Sequence, residues 1–96
     1  MNQAAALLAE ELVRENKQNI IRRLRRIEGQ VRGLQKMVES ERDCHEILTL
    51  FAGVRRALDA ASDVILETYL TECACGSPDG QLDIEELLRA VKLARG

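Results

Sequence analysis

The side chains best suited to soft-metal or nucleophilic chemistry are Cys44, His45, Cys73 and Cys75. Asp43 and Glu46 form a D-x-x-E capping-box pattern, which places Cys44 in the first turn of a helix. The positive end of the helix dipole there favours thiolate over thiol, and His45 adds to this when protonated. Cys44 is thus a candidate nucleophile or soft-metal ligand, against the plain reading of an isolated Cys as a small buried hydrophobe. Cys73 lies 29 residues further on. In one continuous helix that is roughly 43 Å along the axis, with a residual rotation of only about 20°. The two thiols share a face and cannot meet within one chain. If two copies pack antiparallel about a centre near Leu58 and Asp59, Cys44 of each lands beside Cys73 of the other, giving two identical dithiol sites per dimer. Tyr69, about −20° around from Cys44, belongs to the same face and reads first as interfacial packing. Cys75, about 220° around, points away, and a Cys73-x-Cys75 chelate needs the helix to fray. His45, offset by about 100°, reads as exposed rather than as a ligand.

A second constellation is basic. The net charge is −2, yet residues 14–37 hold eight cations (Arg14, Lys17, Arg22, Arg23, Arg25, Arg26, Arg32, Lys36) against Glu15 and Glu28. That segment is +6 and the remainder −8. Such segregation points to a polyanion partner. The bland alternative is a solvated face with helical ion pairs, but the segment offers few carboxylates. Arg-rich helices suit phosphate contacts, which supply affinity without choosing sequence. No helix-turn-helix, zinc-finger or ribbon signature is present. Phosphate-binding glycine loops, G-x-S-x-G and H-E-x-x-H are also absent, so no enzyme is expected.

These groups must be positioned by helices. Aromatic residues make up 2% of the chain, while Leu, Ala, Val and Ile abound beside Glu and Arg, the composition of helical bundles. Residues 3–13 are good helix formers and lead in, either as a separate helix or as part of the next. Over 16–39, Ile20, Leu24, Ile27, Val31, Leu34 and Val38 alternate steps of four and three, a heptad seam that reads as core. Gly29 and Gly33 inside it each cost about 1 kcal/mol relative to Ala, recoverable by close approach of a neighbouring helix or a DNA backbone. The short ESERD link favours an antiparallel hairpin. The second helix starts at Cys44 and carries Ile47, Phe51, Val54, Leu58, Ala61, Ile65 and Thr68 at helical spacing. The breakers of CGSPDG (75–80) stop it. A third helix is expected over 82–94, with Asp83 and Glu86 as its capping box. The expectation is an all-α chain of three main helices, pairing with a second copy as an antiparallel four-helix-bundle homodimer. Residues 1–14 form the lead-in and 15–96 the domain proper. No segment reaches the roughly 18 apolar residues of a membrane span, no export signal is visible, and three Cys do not make a secreted disulfide framework. A reducing cytoplasm is expected.

Several stretches together resemble the copper-sensitive operon repressor (CsoR/RcnR) family: RRLRRIEGQVRGL at 22–34, DCHEIL at 43–48, VRRALD at 54–59, ETYLTEC at 67–73 and IEEL at 84–87. The likeness spans roughly residues 17–93, with a loop of different length near 75–81. It implies a small all-helical repressor, usually a dimer of dimers, that releases operator DNA when an effector engages the site around the first Cys. Cys44 and Cys73 match the family's two cysteine positions, Arg23 a DNA-contacting position, and Glu86 an acidic position linking effector to release. The departure is Tyr69, where similar copper sensors carry the His of a Cys-His-Cys site. Tyr is a poor Cu(I) ligand. A bare dithiol and Asp43 before Cys44 resemble the persulfide-sensing (CstR-like) branch. There Cys44 attacks a persulfide and the other chain's Cys73 resolves it. The expectation is therefore persulfide sensing, with no required cofactor. Cu(I) held by two thiolates is the alternative and aldehyde sensing at the first Cys a lesser one. From another class stands a helical interaction module with incidental cysteines. Tyr69, His45, Cys75 and Glu86 are candidate site neighbours. Lys17, Arg22, Arg23, Arg25, Arg26 and Arg32 are candidate DNA contacts.

Overall fold

The computed structural model describes residues 3–76 and 84–96, and for 73–76 the backbone alone. Among the described residues there are three helices and no strands: α1 (Gln3–Glu39), α2 (Cys44–Gly76) and α3 (Ile84–Arg95). The lead-in and the first seam are one helix of 37 residues, since nothing between Gln3 and Glu39 breaks helical geometry. The expected capping residue Asp83, and most of the CGSPDG run, fall outside the described residues.

A Schellman motif ends α1. Arg42 N–H donates to Met37 O at 3.0 Å and Glu41 N–H to Val38 O at 3.2 Å. Glu41, at φ 55°, occupies the left-handed position usually given to Gly. This compact turn reverses the chain and sets α1 antiparallel to α2. Helix α2 opens at Cys44, with Asp43 O accepting from Ile47 N–H at 3.1 Å. The acidic arm of the expected capping box is engaged elsewhere, because Glu46 Oε2 accepts from Arg42 Nε at 3.1 Å.

The heptad seams divide into two columns. Ile27 and Leu34 of α1 meet Val54 and Ala61 of α2 in the core, with Ile47, Leu50 and Ala57 packed against them. Thr68 continues the α2 column, its hydroxyl donating back to Val64 O at 2.7 Å. The alternate column stays open. Leu24, Val31 and Val38 on α1, and Phe51, Leu58 and Ile65 on α2, are all exposed. Reading both columns as core is corrected for this chain alone: a single neighbouring helix covers only one side of a seam. In an antiparallel hairpin both open columns fall on the same side of the two-helix layer.

Helix α3 packs on the C-terminal half of α2 and not on α1. Ser62 Oγ donates to Ala94 O at 3.2 Å, and Tyr69 Oη lies 3.5 Å from Glu86 Oε2. The two contacts run in opposite directions along the chain, so α3 is antiparallel to α2. The whole measures 59 × 26 × 14 Å with a radius of gyration of 17.9 Å. A compact chain of this length has a radius of gyration of about 12–13 Å. A thickness of 14 Å is little more than one helix diameter, about 10–12 Å. The chain is a single layer of helices with one apolar side uncovered.

Candidate effector and nucleic-acid sites

Cys44 is the first residue of α2 and is exposed. From it, Phe51, Leu58 and Ile65 follow at heptad steps, so the thiol heads the open apolar column. Because α2 is helical without a break to Gly76, the backbone at Cys73 lies roughly 43 Å away along the same rod. The separation expected from periodicity is therefore present, and one chain cannot close a dithiol. The side chains of Cys73 and Cys75 lie outside the described residues. Among the described residues no group of three or more His, Cys, Asp or Glu is placed to hold a metal ion.

His45 is exposed, and its backbone carbonyl accepts from Thr49 Oγ1 at 2.7 Å. Tyr69 is half-buried and lines a concavity between α2 and α3 with Ser62, Ile65, Leu66, Ala90 and Leu93. Its 3.5 Å contact with Glu86 is at the outer limit of a hydrogen bond. Glu86 itself is exposed. Tyr69 and Glu86, singled out separately in the sequence, are thus brought together by the docking of α3.

The basic residues form a coherent face of α1. Arg22, Gly29 and Lys36 recur at seven-residue steps, as do Arg25 and Arg32, and Arg26 and Gly33. The first two columns lie opposite the core column of Ile27 and Leu34, and the third borders that column about 100° around the helix. A Cβ added at Gly29 or Gly33 would meet nothing within 4 Å. No neighbouring helix of the same chain explains those glycines, so their space faces outward between arginines. Arg22, Arg25 and Arg26 make no ion pair among the described residues, whereas Arg32 is engaged by Glu28 at 2.9 Å. Arg23 Nε donates to Asn19 Oδ1 at 3.1 Å, and Arg23 and Arg26 flank a small cleft with Ile27, Gln30 and Ala57.

Periodicity did not reveal the pairing of Lys17 Nζ with Glu72 Oε1 at 3.0 Å. Long side chains at opposite ends of the sequence give no local signal, and only the hairpin register joins them. No helix of the described residues is long and apolar enough to cross a membrane.

Comparison with known proteins accords with this arrangement. Residues 16–93 match the family model described as metal-sensitive transcriptional repressor. The copper-sensing transcriptional repressor CsoR of Bacillus subtilis (strain 168) is 42% identical over 81 residues, covering 81% of this chain and 80% of that protein. The copper-sensing transcriptional repressor RicR of Mycobacterium tuberculosis (strain ATCC 25618 / H37Rv) is 39% identical over 75 residues, covering 71% and 78%. CsoR of the same organism is 33% identical over 79 residues, covering 79% and 66%. No solved structure gives a significant match. The persulfide-sensing branch finds no support among these relatives, whose names speak of copper. Spanning four-fifths of the chain and all three helices, these matches make this chain a member of the metal-sensitive transcriptional repressor family.

Proposed function

We propose that this protein is a DNA-binding repressor released from its operator by Cu(I), captured between Cys44 of one subunit and Cys73 of another. The observation that carries the reading is the position of Cys44: exposed, at the start of the open apolar column, on a rod whose far end bears the second Cys. Antiparallel pairing of two such rods buries the column and brings the thiols together in one step. Thiolates are the soft donors Cu(I) selects, and two of them suffice for linear coordination. The names of the relatives support copper as the effector. Residues 15–96 carry both activities, with 1–14 as a helical lead-in. A dimer of dimers presents more than one basic face to DNA. Phosphates lie along Arg22, Arg25 and Arg26, with Lys17, Arg23 and Arg32 flanking. Outward-facing Gly29 and Gly33 admit close approach of the sugar–phosphate backbone.

One observation favours a second reading, persulfide as effector. Tyr69 stands on the thiol face and contacts Glu86, and a phenol is a poor third donor for Cu(I). In that reading the Cys44 thiolate takes the sulfane sulfur of a persulfide, releasing its thiol. The Cys73 thiolate of the other subunit then attacks the Cys44 sulfur, forming a disulfide and expelling hydrosulfide.

The test is operator binding followed by fluorescence anisotropy, with a steep loss of affinity as salt rises. One equivalent of Cu(I) per thiol pair is expected to release the DNA, and Cys44→Ala or Cys73→Ala to abolish that release. Release by a polysulfide with none by Cu(I) would transfer the assignment to the second reading. Salt-insensitive or absent DNA binding would sink both and leave a helical interaction module.

A further inference from the structure

The layer of helices has a second side, built differently from the open one. Measured around α2 from Val54, Phe51 and Leu58 lie about 40–60° to one side and Ala57 about 60° to the other. Measured around α1 from Ile27, Leu24 and Val31 lie about 40–60° to one side, and Arg23, Gln30 and Arg26 about 40–100° to the other. The cleft lined by Arg23, Arg26, Ile27, Gln30 and Ala57 is therefore on the back of the layer, away from the open apolar columns. In its lining, Gln30 Oε1 is buried without a hydrogen-bond partner among the described residues. A polar atom left in that state calls for a water, an ion or a ligand.

Arg56 continues this side on α2, about 100° further round than Ala57 in the same sense. It is exposed and makes no ion pair among the described residues. The sequence explains this: positions 52 and 60, four residues either way, are both Ala, and Asp59 follows the cation, the poorer order. With Lys17 level with Glu72, Arg56 is level with Gly33. Gly33 and Gly53 both border the back groove, about 100–120° from Ile27 and Val54 respectively. A Cβ at either would meet nothing within 4 Å. The groove between Arg26 and Arg56 thus has a glycine on each wall and a cation on each side.

We propose that DNA crosses from α1 onto α2 along this groove, with one phosphate seated in the cleft between Arg23 and Arg26 and a neighbouring phosphate on Arg56. The inference rests on the DNA-binding reading above and deepens it, adding a contact from α2 to a basic set drawn from α1 alone. Arg56 lies about 10 Å along the axis from Arg26 and across one interhelix spacing of about 8–10 Å. Two extended guanidiniums close much of that gap, and each can hold a phosphate through paired N–H donors. Turned over, the Gln30 amide presents an N–H to a phosphate oxygen in the same cleft. The glycines let the sugar–phosphate backbone approach the main chain more closely than a Cβ would allow. Pairing of two copies through the open columns leaves this side uncovered.

Phosphate contacts do not read sequence, so a fluorescein-labelled mixed-sequence duplex of roughly 30 base pairs is a sufficient probe. Its anisotropy is titrated with the full-length protein at several salt concentrations. Arg56→Gln is expected to weaken binding about tenfold at low salt and to lower the salt slope by about one for each bound subunit. Arg56→Lys is expected to keep the slope. Arg55→Gln removes the same charge one residue earlier, toward the open column, and is expected to bind like the parent. Gln30→Glu, which sets a carboxylate in the phosphate seat, is expected to weaken binding by tenfold or more. Circular dichroism and sedimentation verify that each variant keeps its helices and its assembly. Parental affinity and slope in Arg56→Gln, or equal losses in Arg55→Gln and Arg56→Gln, would overturn the crossing onto α2 while leaving DNA binding by α1 intact. Absent or salt-insensitive binding by the parent itself would remove the DNA-binding reading and this inference with it.

Discussion

Lys17 Nζ lies 3.0 Å from Glu72 Oε1, tying a cation of the basic helix α1 to the residue that precedes Cys73. Both side chains are about half exposed, so the pair adds only ~0.2–1 kcal/mol to stability. Its interest is competition: while Glu72 holds Lys17, that ammonium is less available to a phosphate. Glu72→Gln is expected to leave the melting temperature almost unchanged. It is also expected to tighten operator binding a few-fold and steepen the salt dependence by about one counterion. Titrations at several salt concentrations read both quantities, and an unchanged slope would remove Lys17 from the interface.

The glycines of the basic face test where DNA sits. A methyl group at Gly29 meets nothing within 4 Å. Gly29→Ala is therefore expected to stabilise the helix by about 0.5–1 kcal/mol, measured by urea unfolding. In the same protein operator affinity is expected to fall, because the added carbon stands between Arg22 and Lys36, where the proposed DNA interface brings the sugar–phosphate backbone close. Stability and binding moving in opposite directions would distinguish surface contact from folding.

Leu58 and Ala61 separate the two sides of the seam. Leu58 is 46% exposed and Ala61 2% exposed in the single chain. Ala61→Leu overpacks the contact between α1 and α2 and is expected to cost about 1–3 kcal/mol, with helix content reduced. Leu58→Asp leaves that contact alone. Its expected effect is dissociation of subunits, seen by sedimentation, with loss of the effector response.

Tyr69→His supplies an imidazole on the thiol face. If Cu(I) is the effector, a third soft donor is expected to raise affinity by tenfold or more, on the order of 1.4 kcal/mol, in a competition assay with a chromogenic chelator. Tyr69→Phe removes the hydroxyl and with it the long contact with Glu86, and is expected to change stability by about 0.5–1.5 kcal/mol.

Glu41 occupies a left-handed conformation at φ 55° in the turn before Cys44. Glu41→Gly is expected to stabilise the hairpin by about 1 kcal/mol, since the side-chain clash with the backbone disappears. Thermal unfolding measures it, and the effector response is expected to be unchanged because the turn keeps its shape.

Much of this was legible along the chain. The all-helical class, the break after Glu39, the start of α2 at Cys44 and the opposed core and basic faces of α1 all follow from spacing, because helical periodicity is a local property. The reach from Cys44 to Cys73 followed equally, as length times rise. Tertiary structure alone decided which half of each heptad seam is covered. Leu24 and Ile27 are equally apolar in sequence, and only the direction from which α2 approaches separates them. It also decided that α3 lies on α2 and joins Tyr69 to Glu86, and that Lys17 finds Glu72. Those contacts depend on the register of one helix against another, which the turn at Glu41 and the packing of Val54 and Ala61 set together and no single stretch of residues encodes.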